Sequence, residues 1–227
     1  MDDQTIREVY SKIARGYDDC YHSDQVKTII EAEDIALTDL LPHGFSGSVL
    51  DCGSGTGYLL DLMQVDPSQY WGIDISDEMV KVAREKHPKH TFQKKDMFDI
   101  KEGSVNNLVS LFSVPDYSGL GFIDKAYDLL DIHGTLYATF INKRGGYDSI
   151  YCLDQAGYEF QPYQYTKEEI SQHLKKFGFG LVYICGFSTT KELPKGVCSE
   201  QIAEYFLEER HNTDECKYLF VIAKKTK

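Results

Sequence analysis

Apolar and polar positions along the 227-residue chain follow two alternating rhythms. Val26, Ile29, Ile30, Leu37, Leu40 and Leu41 recur at the three- and four-residue spacing of one helix face, which predicts a helix over residues 24–41. Ser23 or Asp24 can cap its start, and Pro42 and Gly44 stop it. Residues 4–15 read as a shorter helix ahead of it. Compact strand-like runs then take over, most of them apolar. "SVLDC", "YWGIDI", "HTFQKKD", "NNLVSLFSV" and "GTLYATFIN" read as strands, with Pro115 ending the fourth. Between them "GTGYLLDLM", "DEMVKVAREKH" and "GFIDKAYDLLDI" carry the helical period. Strands alternating with helices at this interval predict an α/β fold around a mostly parallel sheet.

The last third has a different texture. Residues 142–165 are rich in Tyr and Gly and show no helical period. Thr166 and Glu169 then form a T-x-x-E capping box, Ile170, Leu174 and Phe177 share one helix face, and Gly178 ends it. "FGLVYICGF" and "KYLFVIAKK" are two more apolar strands, with a helix near 199–210 between them. Lacking a full βαβ helix between them, they can form an antiparallel edge.

Composition narrows the picture. With 42% apolar residues, 227 residues suit one globular domain with a sizeable core. No run reaches the roughly 18 uninterrupted apolar residues of a membrane span. The acidic, polar start "MDDQTIREVY" lacks the pattern of a secretory signal, so the expected location is cytoplasmic. A net charge of −12 disfavours nucleic acid and anionic lipid as partners. Six cysteines include no C-x-x-C pair, and the seven histidines show no ligand spacing, so no metal site is expected. Free thiols in a reducing cytosol fit this pattern.

The chemistry concentrates in "VLDCGSGTGYLL". A dinucleotide fingerprint needs a glycine where Tyr58 stands, and the G-K-[ST] of a triphosphate loop is absent. What stands is D-x-G-x-G-x-G, with Asp51, Gly53, Gly55 and Gly57. Such glycines let a ligand touch the backbone at the mouth of a helix, where free N–H groups favour an anion. Asp51 repels a pyrophosphate but suits a ligand that carries an ammonium as well as a carboxylate. Asp74 follows Gly53 by 21 residues, at the tip of the second strand, where it can accept hydrogen bonds from ribose hydroxyls. Asp96 ends the third strand beside Met97 and Phe98, a set that can grip an adenine.

Taken in order, these stretches resemble the class I S-adenosylmethionine-dependent methyltransferases. "VLDCGSGTG" is similar to their first motif, "GIDIS" to their second and "KKDMFD" to their adenine-side motif. "VYSKIARGYDDCY" is similar to the Y-x-x-x-A-x-x-Y-D pattern of the small-molecule branch related to quinone-type methyltransferases. The resemblance implies a Rossmann-like seven-stranded, mostly parallel sheet with an antiparallel last strand and helices on both faces. It implies a single domain: residues 1–44 as N-terminal helices forming a lid, 45–141 as the cofactor-binding core, and 142–165 with 188–216 as acceptor-side elaborations. It implies S-adenosyl-L-methionine as cofactor and a small-molecule acceptor as partner.

Residue by residue, the resemblance puts Gly53, Ser54, Gly55 and Gly57 against the methionine moiety, with Asp51 favouring its amino group. Asp74 would hold the ribose, while Ile75, Met79, Asp96, Met97 and Phe98 would hold the adenine. Tyr10, Tyr17 and Phe112 complete the expected cofactor-binding set. Many relatives carry a His after the fourth strand; here "SVPDYS" offers Asp116 and Tyr117, which with Tyr17 are the candidate catalytic groups. Tyr147, Tyr151 and Tyr163 are candidates for the acceptor wall. The alternative is a cofactor-binding protein of the same fold that transfers another group or acts through a protein partner.

Overall fold

The apolar runs form strands because a sheet covered by helices on both sides buries both of their faces. A computed structural model describes residues 3–21, 26–101, 103–146, 153, 156–158, 160–189 and 196–226. Its seven strands are β1 (Val49–Cys52), β2 (Tyr70–Asp74), β3 (Thr91–Lys94), β4 (Val105–Ser110), β5 (Leu130–Ile141), β6 (Phe179–Phe187) and β7 (Tyr218–Lys225). They lie in the order β3-β2-β1-β4-β5-β7-β6. Every residue of β1 is buried, and in β4 only Asn106 is exposed. β1, at the centre, pairs in parallel with β2 and β4, and β3 and β5 extend the parallel set outward.

The described residues also form nine α-helices, besides four single 3-10 turns: α1 (Asp3–Ile13), α2 (Tyr17–Tyr21), α3 (Lys27–Leu40), α4 (Tyr58–Leu62), α5 (Asp77–Lys86), α6 (Val114–Ser118), α7 (Gly121–Leu129), α8 (Lys167–Phe177) and α9 (Ser199–Glu208). They cover the sheet on both faces, as the two-residue period of a strand dictates. Leu108 packs with Phe122, Ile123 and Leu174 of α7 and α8 on one side. Its neighbour Val109 packs with Leu37, Leu59 and Val80 of α3, α4 and α5 on the other. No helix among the described residues is long and apolar enough to cross a membrane.

The expected Rossmann-like sheet with an antiparallel last strand is present, and four local readings change. β7 is antiparallel to both β5 and β6, yet it lies one strand in from the edge. Leu219, Phe220, Val221 and Ala223 are fully buried, which an inner strand provides for; β6 takes the edge and leaves Tyr183 exposed. Pro115 does not end the fourth strand, which stops at Ser110. It sits in the first turn of α6, where its missing N–H leaves no hydrogen bond unmade. The helix expected over 55–63 is confined to Tyr58–Leu62, because the glycines before it have positive φ. The helix expected to reach residue 132 ends at Leu129, and β5 begins at Leu130. Ser23 and Asp24 lie outside the described residues, and α3 starts at Lys27.

The capping box at α8 forms as read. The Glu169 N–H donates to Thr166 Oγ1 at 3.2 Å, and the Thr166 N–H donates to Glu169 Oε2 at 2.7 Å. Thr166→Ala should cost about 1 kcal/mol of stability. Chemical denaturation should show a lower midpoint with an unchanged slope.

Candidate functional site

The sheet order reverses between β1 and β4, and an open α/β sheet has its crevice outside the carboxyl ends at such a point. The chain leaves β1 there through the glycine turn. A Cβ on Gly53 (φ +70°) would lie 1.8 Å from Ser113 Oγ, and one on Gly57 (φ +97°) 2.5 Å from His87 Cδ2. Gly55 instead faces open space. The turn is tied to the end of β2. The N–H groups of Gly53 and Ser54 donate to the Ile73 carbonyl at 2.8 and 2.9 Å. The Gly55 N–H donates to Asp74 Oδ2 at 3.0 Å, and the Ser76 N–H to Asp74 Oδ1 at 2.8 Å. Burial pushes the Asp74 carboxyl up to about 6, against the pull of those two amides. At the end of β3, Asp96 Oδ1 accepts the Phe98 N–H at 2.9 Å.

These groups open onto a cavity of about 790 Å³, a size that holds a cofactor and a small second molecule. The structure brings most of the expected residues to its wall: Tyr10, Tyr17, Gly53, Ser54, Gly55, Asp74, Ile75, Met79, Asp96, Met97, Phe98, Phe112, Asp116 and Tyr117. Asp51 and Gly57 are not on it. Asp51 is 3% exposed and accepts the Tyr70 hydroxyl at 2.7 Å beneath the turn. Burial pushes its carboxyl up to about 7; the Tyr70 hydrogen bond opposes this and the nearby Asp74 charge adds to it. α4 is only five residues long, so no long helix dipole adds to the turn.

The N-terminal helices form the opposite wall and are fastened to the core. Thr56 Oγ1 donates to Asp18 Oδ1 at 2.7 Å, and Lys86 Nζ bridges Asp18 and Asp61 at 2.7 and 2.8 Å. Ser11 and Ser76 share a hydroxyl contact at 3.0 Å. The Tyr10 and Tyr117 hydroxyls are hydrogen-bonded, with their rings edge to face at 5.9 Å. Tyr17 lies 5.9 Å from the Tyr10 ring and 5.4 Å from the Tyr21 ring. Desolvation pushes the Tyr10 and Tyr117 hydroxyls well above the usual phenol range.

Several wall residues carry no motif and escape a sequence reading. The Tyr58 hydroxyl donates to Asp34 Oδ1 at 2.5 Å, which joins the glycine turn to α3. Glu33, 4% exposed, takes a hydrogen bond from Ser188 and lies 3.4 Å from Lys217 Nζ. Burial holds the Glu33 carboxyl above its ordinary value. α9 braces this wall from behind, with Ile202, Ala203 and Phe206 packed against Ala32 and Ala36 of α3.

The expected acceptor wall is met in part. Tyr147 and Tyr151 lie outside the described residues. Tyr163 is 55% exposed and does not line the cavity, though its N–H donates to the Asp116 carbonyl at 2.9 Å. Phe160 of the same segment stacks on Tyr117 at 4.8 Å. None of the described residues of 188–216 reaches the cavity wall; Lys217 and Tyr218 just beyond it do.

Two buried polar atoms on the wall, Ser54 Oγ and Asp116 Oδ1, have no hydrogen-bond partner among the described residues. Orphaned polar atoms beside an open backbone turn suit a polar ligand. The donor set also fits a nucleoside bearing an amino acid: carboxylates at the ends of β2 and β3, apolar Met97 and Phe98 beside the second, and free space at Gly55.

A family model described as a methyltransferase domain matches residues 49–134, which span β1 to the start of β5. No curated protein matches the sequence. Similar solved structures include a chain from a complex of the Haloferax volcanii Trm112 methyltransferase activator with a methyltransferase. It is 17% identical, with 97% of both chains covered and a TM-score of 0.67. An S-adenosylmethionine-dependent methyltransferase from Thermotoga maritima is 14% identical over 96% of this chain and 99% of its own, with a TM-score of 0.64. Magnesium protoporphyrin IX methyltransferase from Synechocystis PCC 6803, solved with bound S-adenosylhomocysteine, is 20% identical over 99% and 100%, also at 0.64. The chain has the fold of these enzymes, and its residues 49–134 are similar to a methyltransferase domain.

The carboxyl of Asp51 titrates higher in the fold than in an unfolded chain, so the folded state binds the extra proton between about pH 4 and 7. Its contribution to stability is therefore present at low pH and lost as pH rises through about 7. Asp51→Asn should melt at a higher temperature than the parent at pH 7.5, and the difference should shrink towards pH 4. Melting curves across that range test it.

Proposed function

We propose that this protein transfers a methyl group from S-adenosylmethionine to a small-molecule acceptor held in the cavity beside the glycine turn. One observation carries the reading: the open backbone at Gly53–Gly55, Asp74, and Asp96 with Met97 come from three strand ends and meet on one cavity inside a methyltransferase-domain match. The cofactor is S-adenosylmethionine. Bound there, it supplies a methyl group already activated on a sulfonium.

The chain's own residues then have positioning tasks. Gly53, Ser54 and Gly55 take the amino-acid end, with the unpaired Ser54 hydroxyl available to it. Each Asp74 oxygen keeps a lone pair beyond its backbone amide, free for ribose hydroxyls. Asp96 accepts from the adenine amine, between Ile75, Met97 and Phe98. Met79 backs that pocket, while Phe112, packed with Tyr58, Phe187 and Tyr218, lines the cavity on another side. Asp51 supports the turn from below through Tyr70 rather than touching the cofactor. Tyr10 and Tyr17 turn aromatic faces, which attract cations, towards the sulfonium. The helices of residues 1–44 act as the lid that excludes water, residues 45–141 as the cofactor core, and Tyr117 with the 142–165 segment as part of the acceptor side. The Y-x-x-x-A-x-x-Y-D pattern that places Tyr10 and Tyr17 supports the small-molecule branch similar to quinone-type methyltransferases. The free thiols suit a cytoplasmic setting.

S-adenosylhomocysteine at a hundred times its dissociation constant should stabilise the fold by about 2.7 kcal/mol, and NAD should not. Equal shifts, or none, in thermal melts would contradict the cofactor assignment. Asp74→Asn keeps one oxygen for the Gly55 amide but loses the charge. It should weaken S-adenosylhomocysteine roughly ten- to hundredfold in calorimetric titration. Incubation with methyl-labelled cofactor and a metabolite extract should put the label into a small molecule. Label in protein alone, or transfer of a different group, would favour the alternatives.

A further inference from the structure

The cavity wall carries eight carboxylates against four lysines. The lysines are largely committed. Lys86 holds Asp18 and Asp61, Lys217 faces Glu33, and Lys27 lies 3.8 Å from Glu31. Lys95 sits over the Trp71 ring at 5.3 Å. An acceptor bearing a carboxylate or phosphate would meet net repulsion there, whereas a cation would be drawn in.

Asp116 is the group placed to receive such a cation. It is 4% exposed and lines the cavity, and its Oδ1 has no partner; the backbone of Ile141 hydrogen-bonds its carboxylate. Its N–H donates to the Ser113 carbonyl at 2.9 Å, and the Ser113 side chain lies against Gly53. Ser113 thus links Asp116 to the turn, and both line the same cavity. Tyr10 from the N-terminal helices, its neighbour Tyr117, and Tyr165 from the 142–165 segment lie near it, and no lysine or arginine among the described residues is paired with it.

We propose, resting on the methyl-transfer reading above, that the acceptor is a primary or secondary amine and that Asp116 binds its nitrogen and takes its proton. The ammonium first gives one proton to the Asp116 carboxylate, and the lone pair this frees forms the new N–C bond to the methyl carbon as the C–S bond breaks. The C–S electrons stay on sulfur, giving a neutral thioether. That proton then passes from Asp116 to water, so one methyl is gained and one proton lost by the ammonium. Burial raises the Asp116 carboxyl well above its ordinary range, which makes its ionised form a stronger base. An ammonium drawn alongside favours that ionised form, since opposite charges stabilise each other at close range. The tyrosine ring faces add a cation–π attraction that a neutral or anionic acceptor lacks.

The test uses the full chain with carbon-13 methyl-labelled S-adenosylmethionine and a matched panel: phenethylamine, N-methylphenethylamine, 4-ethylphenol and 3-phenylpropionic acid. Label should enter the amines and neither of the others. Asp116→Asn should bind S-adenosylhomocysteine within about threefold of the parent, which checks that the variant is folded and the cofactor site intact. It should lose at least about a hundredfold in amine turnover at pH 7. That loss should be largely recovered near pH 10, where the amine loses its proton unaided; a merely structural role would give no such recovery. Labelling of the phenol or the acid without the amines would overturn the inference, as would no amine labelling in a protein that S-adenosylhomocysteine stabilises. Undiminished amine turnover by Asp116→Asn would overturn it too. Failure of S-adenosylhomocysteine to bind the parent would instead strike the underlying methyl-transfer reading.

Discussion

The hydrogen bond from the Gly55 N–H to the Asp74 carboxylate ties the exit of β1 to the exit of β2. The rest of the site depends on it. It holds the glycine turn open at the point where the sheet order reverses, and it spends one lone pair of a carboxylate that still faces the cavity. The two bonds from Gly53 and Ser54 to the Ile73 carbonyl share the load. Gly53 is confined by Ser113, so the turn is also wedged against the start of α6, and α6 carries Asp116 and Tyr117. One local geometry thereby positions the glycine turn and, through α6, Asp116 and Tyr117 on the same cavity.

A second constraint is the covering of that cavity by aromatic side chains from elements far apart in sequence. Tyr10 meets Tyr117 across 107 residues, and Phe160 stacks on the far side of Tyr117. The Asp18–Lys86–Asp61 bridge and the Thr56 hydroxyl hold α2 down. These partly exposed ion pairs are each weak. A lid fastened by several weak contacts can open for exchange and still exclude water when closed, which suits a reaction that needs a dry encounter between acceptor and methyl group.

Much of this was legible in the sequence because the relevant signals are local. Apolar runs between turn residues marked each strand of the sheet, and the T-x-x-E pattern marked the start of α8. The strand-end aspartates stood out because a βαβ unit places each strand's last residue at the same rim. What escaped was set by packing. Asp51 has the right motif position, yet the Tyr70 hydroxyl draws it beneath the turn. Asp34 and Glu33 sit on a helix with no motif, and only the fold brings them to Tyr58 and Lys217. Pro115 read as a stop, whereas the chain uses it to begin a helix. The position of β7 inside the sheet follows from its burial on both faces, which an apolar run alone does not distinguish from an edge.

The central claim is that one cavity at the ends of β1, β2 and β3 holds the cofactor under the N-terminal helices. A backbone amide NMR titration with S-adenosylhomocysteine tests it most directly. The account predicts that the largest shifts fall at Gly53–Gly55, at Asp74 and Ile75 and at Asp96–Phe98, with slowed amide exchange in α1 and α2. Shifts centred elsewhere on the sheet, or a saturating titration that leaves the glycine turn unmoved, would contradict it.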